Sequence, residues 1–270
     1  MRNLLYANLR RLVRSKAFLI ALLAELAYIT LAVLSCRDHC AAGEPVTLEF
    51  ILTAGYLLLS YFPISTLIAA PLLGLYLGAD YSNSTLRNKL IVGHTRKSVY
   101  LADLLACVIT AAGLDALYLL VTGVFCAKPV LDVSGVLLRS SAGQMLAWVA
   151  VLLLARMAWA AVVKLLATLL GNQTAATIAA LLLMLAAAII STTGLQEISY
   201  LSLPQHFGEA DYVQRMTTWQ LVLDILPTGQ YYRISMLNTP NLWRMPLLSL
   251  AVIAASTGAG LAFFRRRDLK

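Results

Sequence analysis

The stretch DYSNSTLRNKLIVGHTRKSVYLADLL, residues 80–105, carries the pattern that decides the fold. Four of its side chains, Arg87, Lys89, Arg96 and Lys97, are basic, and polar, turn-forming residues surround them. Charges at this density cannot lie in the hydrocarbon core of a bilayer, and positively charged loops stay in the cytoplasm. The stretch therefore predicts a cytoplasmic loop between two membrane spans, and the topology of the rest of the chain follows from it.

Composition places the chain in a membrane. Hydrophobic residues make up 60% of its 270 positions and its mean hydropathy is +0.78, whereas soluble domains contain about 45 to 50% apolar residues. The apolar residues lie in runs close to the roughly 20 residues that a helix needs to cross a bilayer. We expect an all-α integral membrane protein whose six transmembrane helices form one transmembrane domain over residues 1–270. The predicted spans cover about residues 17–35, 51–79, 99–125, 142–169, 174–193 and 247–264.

The distribution of basic residues predicts the orientation of these spans. Six spans place both termini on one side, which then carries fourteen lysines and arginines against six on the other, with Arg156 inside a span. Because basic loops stay in the cytoplasm, both termini are expected there. The same topology accounts for the formal net charge of +8 without a nucleic-acid partner. We expect a multi-pass protein of a bacterial plasma membrane.

The N-terminal residues predict an amphipathic helix that lies along the membrane interface. Apolar side chains fall near one helical face and basic side chains on the others. The apolar set is Leu5, Leu9, Leu12 and Val13, and the basic set is Arg2, Arg10, Arg11 and Arg14. The alternative is that these positive charges serve only to orient the first span.

Two further loops have contrasting lengths. Spans four and five are joined by little more than Gly171 to Gln173, which predicts a tight helical hairpin on the inner side. The outer loop from Gly194 to Pro246 contains the apolar stretch Trp219 to Leu226. Because that stretch is too short to cross a bilayer, we expect an outer or re-entrant helix between spans five and six.

Motifs for chemistry are missing from the sequence. There is no glycine-rich phosphate loop, so we expect no ATP hydrolysis by the chain itself, and no paired-histidine zinc motif, so we expect no metal. No residue is assigned a catalytic role. Cys36, Cys40 and Cys126 fall on the predicted outer side, where pairing among them is one possibility.

Ionisable residues inside spans are functional candidates, because a buried charge costs several kcal/mol unless it is paired or hydrated. At about 1.5 Å rise per residue, Glu25 and Arg156 reach similar depths and could pair. Asp103 and Lys164 both lie near the inner edge, whereas Asp115 lies towards the outer edge without a matched basic partner. Asp115 is therefore the stronger candidate for cargo or proton binding. The alternative is that these charges only hold helices together.

The basic loop at residues 80–98 predicts a short docking helix followed by a turn at Gly93. Its apolar residues, Leu86, Leu90, Ile91 and Val92, would lie on a partner. The neighbouring basic residues would pair with acidic groups of that partner or with lipid phosphates. The alternative is an ordinary solvated loop on the positive side of the membrane.

These features resemble a family, the short six-span permeases of the type-two ABC export class. The resemblance is carried by the basic amphipathic start, the inner loop LGADYSNSTLRNKLIVGHTRKSVYLADLL, the LPTGQ at Leu226 to Gln230 and the ending FFRRRDLK. It implies a coupling helix at about Ser84 to Lys97 that fits a groove on a separate ATPase, and a second, smaller contact at Asn172. The residues implied to couple to the ATPase are Leu86, Arg87, Lys89, Leu90, Ile91, Gly93, Arg96, Lys97 and Asn172.

The resemblance also implies partners. Two cytoplasmic ATPase subunits would bind ATP and magnesium, and the chain would dimerise with itself or with a similar permease among membrane lipids. The cargo would be a peptide, an antibiotic, a lipid or an ion. Gly74 and Gly78, four residues apart, make span two a candidate for the subunit interface. The alternatives are a non-transporting immunity or sensor subunit and a membrane-embedded enzyme.

Overall fold

The fold is described from a computed structural model of the chain. It describes residues 2–41, 56–83, 85–134, 142–203, 211–235 and 241–266. Within these residues the chain is helical, with short turns and no strand. Its helices, in chain order, are α1 (Arg2–Val13), α2 (Lys16–Ala41), α3 (Tyr56–Ser82), α4 (Thr85–Ile91), α5 (Arg96–Ser134), α6 (Ala142–Leu170), α7 (Gln173–Leu201), α8 (Tyr212–Ile225), α9 (Pro227–Ser235) and α10 (Arg244–Arg266).

Six helices of the described chain are long and apolar enough to cross a membrane. This confirms the expectation of a multi-pass, all-α membrane protein. The six candidate spans are Lys16–Leu34, Ile64–Ser82, Arg96–Val121, Leu146–Leu170, Gln173–Leu201 and Arg244–Arg266. The predicted span two began at residue 51, and its first residues lie outside the described chain. Predicted span five ended at residue 193, whereas its helix continues to Leu201.

The bundle has two distinct ends. At one end, which we call the α4 end, Arg11 pairs with Asp80 at the close of α3, and Arg96 at the start of α5 donates to the carbonyl of Phe264 near the close of α10. At the opposite end, α8 and α9 pack against the last turns of α7, where Leu223 contacts a cluster that includes Ile198. Both described chain ends, α1 and the close of α10, therefore lie at the α4 end.

Helix α3 packs closely on α7 through two glycines. A Cβ atom at Gly78 would come within 2.4 Å of the Cα of Gln173, and one at Gly74 within 2.8 Å of the Cα of Thr177. These faces are therefore occupied inside one chain. The close helix contact that the glycine spacing predicted is made by α7 of the same chain, and a subunit interface on span two stays a prediction.

Broad apolar faces remain exposed around the bundle. Ile20 on α2, Ile189 on α7 and Leu247 on α10 are each more than half exposed. Since these helices have the length of membrane spans, their apolar faces fit contact with lipid chains. Charged residues away from the ends of the spans behave differently: Asp103, Asp115, Arg156 and Lys164 are buried inside the bundle.

Candidate functional site

The short helix α4 is closed at both ends by local hydrogen bonds. At its start the hydroxyl of Thr85 donates to the carboxylate of Asp80, with Oγ1 and Oδ1 separated by 2.7 Å. After its last turn Gly93 adopts a φ of +96°, and its amide donates to the carbonyl of Leu90 at 3.0 Å. A glycine in this left-handed conformation ends a helix at no steric cost. The predicted short helix and turn are thereby confirmed, whereas the docking role stays a prediction.

The side chains of α4 divide between the bundle and its surroundings. Leu86 is 1% exposed and packs in a cluster with Val99 and Phe264, whereas Ile91 and Val92 are 72% and 77% exposed. Leu90 is half-buried beside the same cluster. The expectation that Leu86 lies on a partner is wrong, because its helical position turns it towards α5 and α10. Arg87 is exposed.

One ammonium group of α4 joins two spans. The Nζ of Lys89 donates to Oδ2 of Asp80 on α3 at 2.8 Å and to Oδ1 of Asp103 on α5 at 3.0 Å. Both aspartates are fully buried, and the Lys89 side chain is 13% exposed. The sequence indicated Lys89 as a contact to a partner. Its bonds instead fasten α4 to the bundle.

Each of these carboxylates has a second cation. Asp80 also pairs with Arg11 of α1, and Asp103 with Lys164 of α6 at 2.9 Å. The Asp103–Lys164 pair was predicted from depth and is confirmed. The amide of Asn8 donates to Asp103 as well, at 2.7 Å. We call this set, which joins five helices, the basal network: Asn8, Arg11, Asp80, Lys89, Asp103 and Lys164.

The basal network explains the position of α1. Leu4, Asn8 and Leu12 are buried against the bundle, while Leu5 and Leu9 are only half-buried. The predicted apolar face is thus rotated, because the hydrogen bond of Asn8 draws a polar position inward. The helix itself is confirmed.

Two neighbouring arginines of α1, both predicted to lie on its polar side, differ in their surroundings. Arg10 is exposed, whereas Arg11 is half-buried and lies 4.6 Å from the ring centroid of Tyr76. Burial lowers the pKa of Arg11, but the hydrogen bond and charge of Asp80 outweigh it, so the net pKa is raised. The interaction with Asp80 therefore more than offsets the cost of burying part of the guanidinium.

Two more contacts complete the α4 end. The guanidinium of Arg96 donates to the carbonyls of Phe264 and Arg265, at 2.8 and 3.1 Å, and so supplies positive charge at the last turn of α10. Lys97 beside it is exposed. The predicted tight turn is confirmed: Gly171 has a φ of +61°, and the exposed Asn172 begins α7 by accepting the amide of Thr174 at 2.9 Å.

A second group of buried charges lies further along the spans. The Nη2 of Arg156 donates to Oδ1 of Asp115 at 2.6 Å and its Nε to Oδ2 at 3.1 Å, a bidentate pair between α6 and α5. The hydroxyls of Thr66 and Ser65 on α3 lie 2.7 and 2.8 Å from the same guanidinium. We call these four residues the mid-bundle cluster.

The mid-bundle cluster changes one expectation. Asp115 was expected to lack a basic partner, but Arg156 pairs with it. The depth prediction failed because it placed Arg156 by its distance from the outer surface of a core about 30 Å thick, whereas α6 has 29 residues and is longer than that core. Counted from the α4 end at about 1.5 Å per residue, Arg156 and Asp115 lie roughly 21 and 28 Å along their helices, a difference that an arginine side chain can span. Glu25 is fully buried in α2, and its predicted pairing with Arg156 stays a prediction.

The helices α8 and α9 form a hairpin that sequence reasoning foresaw only in outline. Arg233 pairs with the buried Asp224, and Gln230 donates to the carbonyls of Asp224 and Met245 at 2.6 and 3.2 Å. A Cβ atom on Gly229 would come within 2.4 Å of the carbonyl oxygen of Leu223, so the turn requires glycine. Burial raises the pKa of Asp224, although the charge of Arg233 opposes this.

That network gives the LPTGQ stretch a structural role that could not be read from its letters alone. Its glycine and glutamine let the chain reverse at the opposite end of the bundle. Within the described residues no three histidine, cysteine, aspartate or glutamate side chains gather as metal ligands. The side chains of Cys36, Cys40 and Cys126 lie outside the described part, so their pairing stays open.

The chain was also compared with known proteins. No protein-family model matches it, and no curated protein sequence does. The resemblance to export permeases therefore rests on the motifs of this sequence and on the elements that now carry them. Of those elements, α4 is bonded to two spans through Lys89, while Ile91 at its end and Val92 just after it are among the most exposed apolar side chains of the described residues.

Proposed function

We propose that this chain is the membrane subunit of an ATP-driven exporter of the ABC class, with α4 as its docking helix for a separate ATPase subunit. Under this proposal the α4 end faces the cytoplasm, both termini lie there, and the α8–α9 hairpin is an outer, re-entrant segment. The chain acts as a dimer in a bacterial plasma membrane. Its cargo is a peptide, an antibiotic, a lipid or an ion.

The observation that carries the proposal is the division of α4. Leu86 and Lys89 attach the helix to the bundle, while Ile91 and Val92 stand outside it at 72% and 77% exposure. A solvated loop has no need for two exposed, adjacent β-branched side chains at the end of a helix whose inner side packs on the bundle. Exposed apolar residues with a polar rim are typical of a protein interface.

The chemistry of this surface specifies the partner. Arg87 and Lys97 are exposed near the apolar tip, and Asn172 is exposed at the other turn of the same end. A partner groove with an apolar floor and acidic rim would bury the tip and pair with the two cations. ATP and magnesium would be held in the partner, in keeping with the absence of a phosphate loop from this chain.

The proposal is tested by purifying the tagged chain from its own host membranes and measuring bound ATPase. We expect an ATPase subunit to copurify with the wild type. Ile91→Asp and Val92→Asp should each remove most of it, because a buried carboxylate without a partner costs several kcal/mol at an interface. The bound amount is measured by quantitative immunoblotting and by ATP turnover of the eluate.

A matched control lies at the opposite end. Val213 of α8 is also 72% exposed, so Val213→Asp adds the same charge at the same exposure away from α4. It should leave ATPase binding unchanged. Loss of binding in all three variants would indicate general damage. A wild-type chain that brings down no nucleotide-binding protein would reject the exporter and favour the immunity or sensor alternative.

A further inference from the structure

The basal network contains one cation more than charge balance requires. Arg11 already pairs with Asp80, and Lys164 with Asp103, so two cations meet two carboxylates. Lys89 is the third cation and its side chain is 13% exposed. Because desolvating an ammonium group costs several kcal/mol, neutralisation of the aspartates does not account for its position.

What Lys89 adds is connection. Its Nζ is bonded at 2.8 Å to a carboxylate on α3 and at 3.0 Å to one on α5. Helix α4 cannot move away from the bundle without either drawing a carboxylate of α3 or α5 with it or losing charge-assisted bonds. Such bonds are short and among the strongest that side chains form.

The same two spans meet again deeper in the bundle. Asp115 of α5 and Thr66 of α3 both bond to Arg156 of α6 in the mid-bundle cluster. Thr66 lies roughly 21 Å along α3 from Asp80, and Asp115 roughly 18 Å along α5 from Asp103, at 1.5 Å per residue. A displacement of α3 and α5 at the α4 end therefore has a route to the middle of the bundle.

We propose that Lys89 is a positioning residue that transmits displacement of α4 to α3 and α5, an inference that rests on the proposed docking role of α4. Ile91 and Val92 bind the ATPase, and Lys89 passes its movement to the spans. Docking and transmission are thus assigned to different residues of one short helix. Removing Lys89 uncouples the spans from the ATPase without releasing it.

The test uses the complex of this chain with the ATPase that copurifies, reconstituted in lipid nanodiscs. The four cysteines are replaced by alanine, and nitroxide labels are placed at Leu67 of α3 and Leu120 of α5, which are both exposed. Pulsed electron paramagnetic resonance measures the distance between the labels without nucleotide and with ATP and vanadate. We expect the wild-type complex to show a change of about 2 Å, typical of helix shifts in switching proteins.

Lys89→Met should abolish this change while ATPase copurification and ATP turnover stay at wild-type levels. Lys89→Arg, which keeps a charge able to bond both carboxylates, should restore it. Arg10→Met is the control, because Arg10 is an exposed cation of α1 outside the basal network. It should leave the distance change intact.

Several results would overturn the inference. They are a wild-type complex without a distance change, a Lys89→Met complex that keeps it, and a Lys89→Met chain that fails to fold or loses its ATPase. A wild-type chain with no ATPase at all is a different outcome, because it rejects the proposed function itself and removes the premise of transmission.

Discussion

The two groups of buried charges differ in how their charges balance. In the mid-bundle cluster one guanidinium meets one carboxylate through two bonds, and the hydroxyls of Ser65 and Thr66 lie within bonding distance of the same guanidinium. In the basal network each carboxylate is shared by several donors, and one cation is in surplus. A bidentate pair holds two spans at a fixed position, whereas a shared network ties a surface helix to the spans.

The mid-bundle charges are thus suited to hold spans in place, whereas the basal charges are suited to a helix that moves. A balanced, bidentate pair loses its whole stabilisation when one member leaves. A shared carboxylate keeps one partner when another leaves, so the network can tolerate the loss of a bond. Substitutions should therefore have unequal effects in the two groups.

The largest effect is expected for Arg156→Met. It leaves Asp115 buried without its bidentate partner, which should lower the free energy of unfolding by about 3 to 5 kcal/mol. Denaturant unfolding in detergent micelles measures it. Combining Arg156→Met with Asp115→Leu should recover most of the loss, because an apolar pair of similar size replaces the ions.

An exposed ion pair provides the matched control for that experiment. Arg215 and Glu197 are 3.1 Å apart and each more than a third exposed. Arg215→Met should therefore cost less than about 1 kcal/mol. Equal losses in the free energy of unfolding for Arg156→Met and Arg215→Met would show that burial of the Arg156–Asp115 pair has no effect on its contribution.

A smaller effect is expected for Asp103→Asn in the basal network. It removes the carboxylate of Lys164, while Lys89 keeps its bond to Asp80, so the free energy of unfolding should fall by about 2 to 3 kcal/mol. The same denaturant assay applies. If the free energy of unfolding fell as much as for Arg156→Met, sharing of the carboxylates would not protect the basal network.

The smallest effect is expected for Lys89→Met. Both aspartates keep a cation, and the desolvation cost of the Lys89 ammonium group is relieved, so the net loss should be only about 1 kcal/mol although two charge-assisted bonds are removed. Measuring Lys89→Met and Asp103→Asn in the same assay compares the loss of a cation that connects helices with the loss of a carboxylate that neutralises a buried cation. If Lys89→Met lowered the free energy of unfolding as much as Asp103→Asn, Lys89 would not be a surplus cation.

The sequence predicts the framework of this fold well. Runs of apolar residues and basic flanks locate six spans, and the depth of Asp103 and Lys164 identifies their pair. The glycine after Val92 predicts the turn that ends α4. These features succeed because they depend on periodicity, length and local conformation, which are properties of neighbouring residues.

Contacts between distant helices are less accessible to sequence reasoning. Leu86 and Ile91 are both apolar residues of α4, and only the position of α5 and α10 decides that one is buried and the other exposed. The sequence prediction assigns no contact to Asp80 at the start of the basic loop. A carboxylate at the end of an apolar run beside many cations is nevertheless a signal for a buried pair. Asn8 gives no such signal, because a single amide in an amphipathic helix fits either face.

Docking of an ATPase on α4 requires that Ile91 and Val92 face the cytoplasm. In intact cells, with the four native cysteines replaced by alanine, Val92→Cys and Val213→Cys are treated with a membrane-impermeant maleimide before and after permeabilisation. We predict that the Val213 position is labelled in intact cells and the Val92 position only after permeabilisation. Labelling of the Val92 position in intact cells would contradict the account, because no cytoplasmic ATPase could then reach α4.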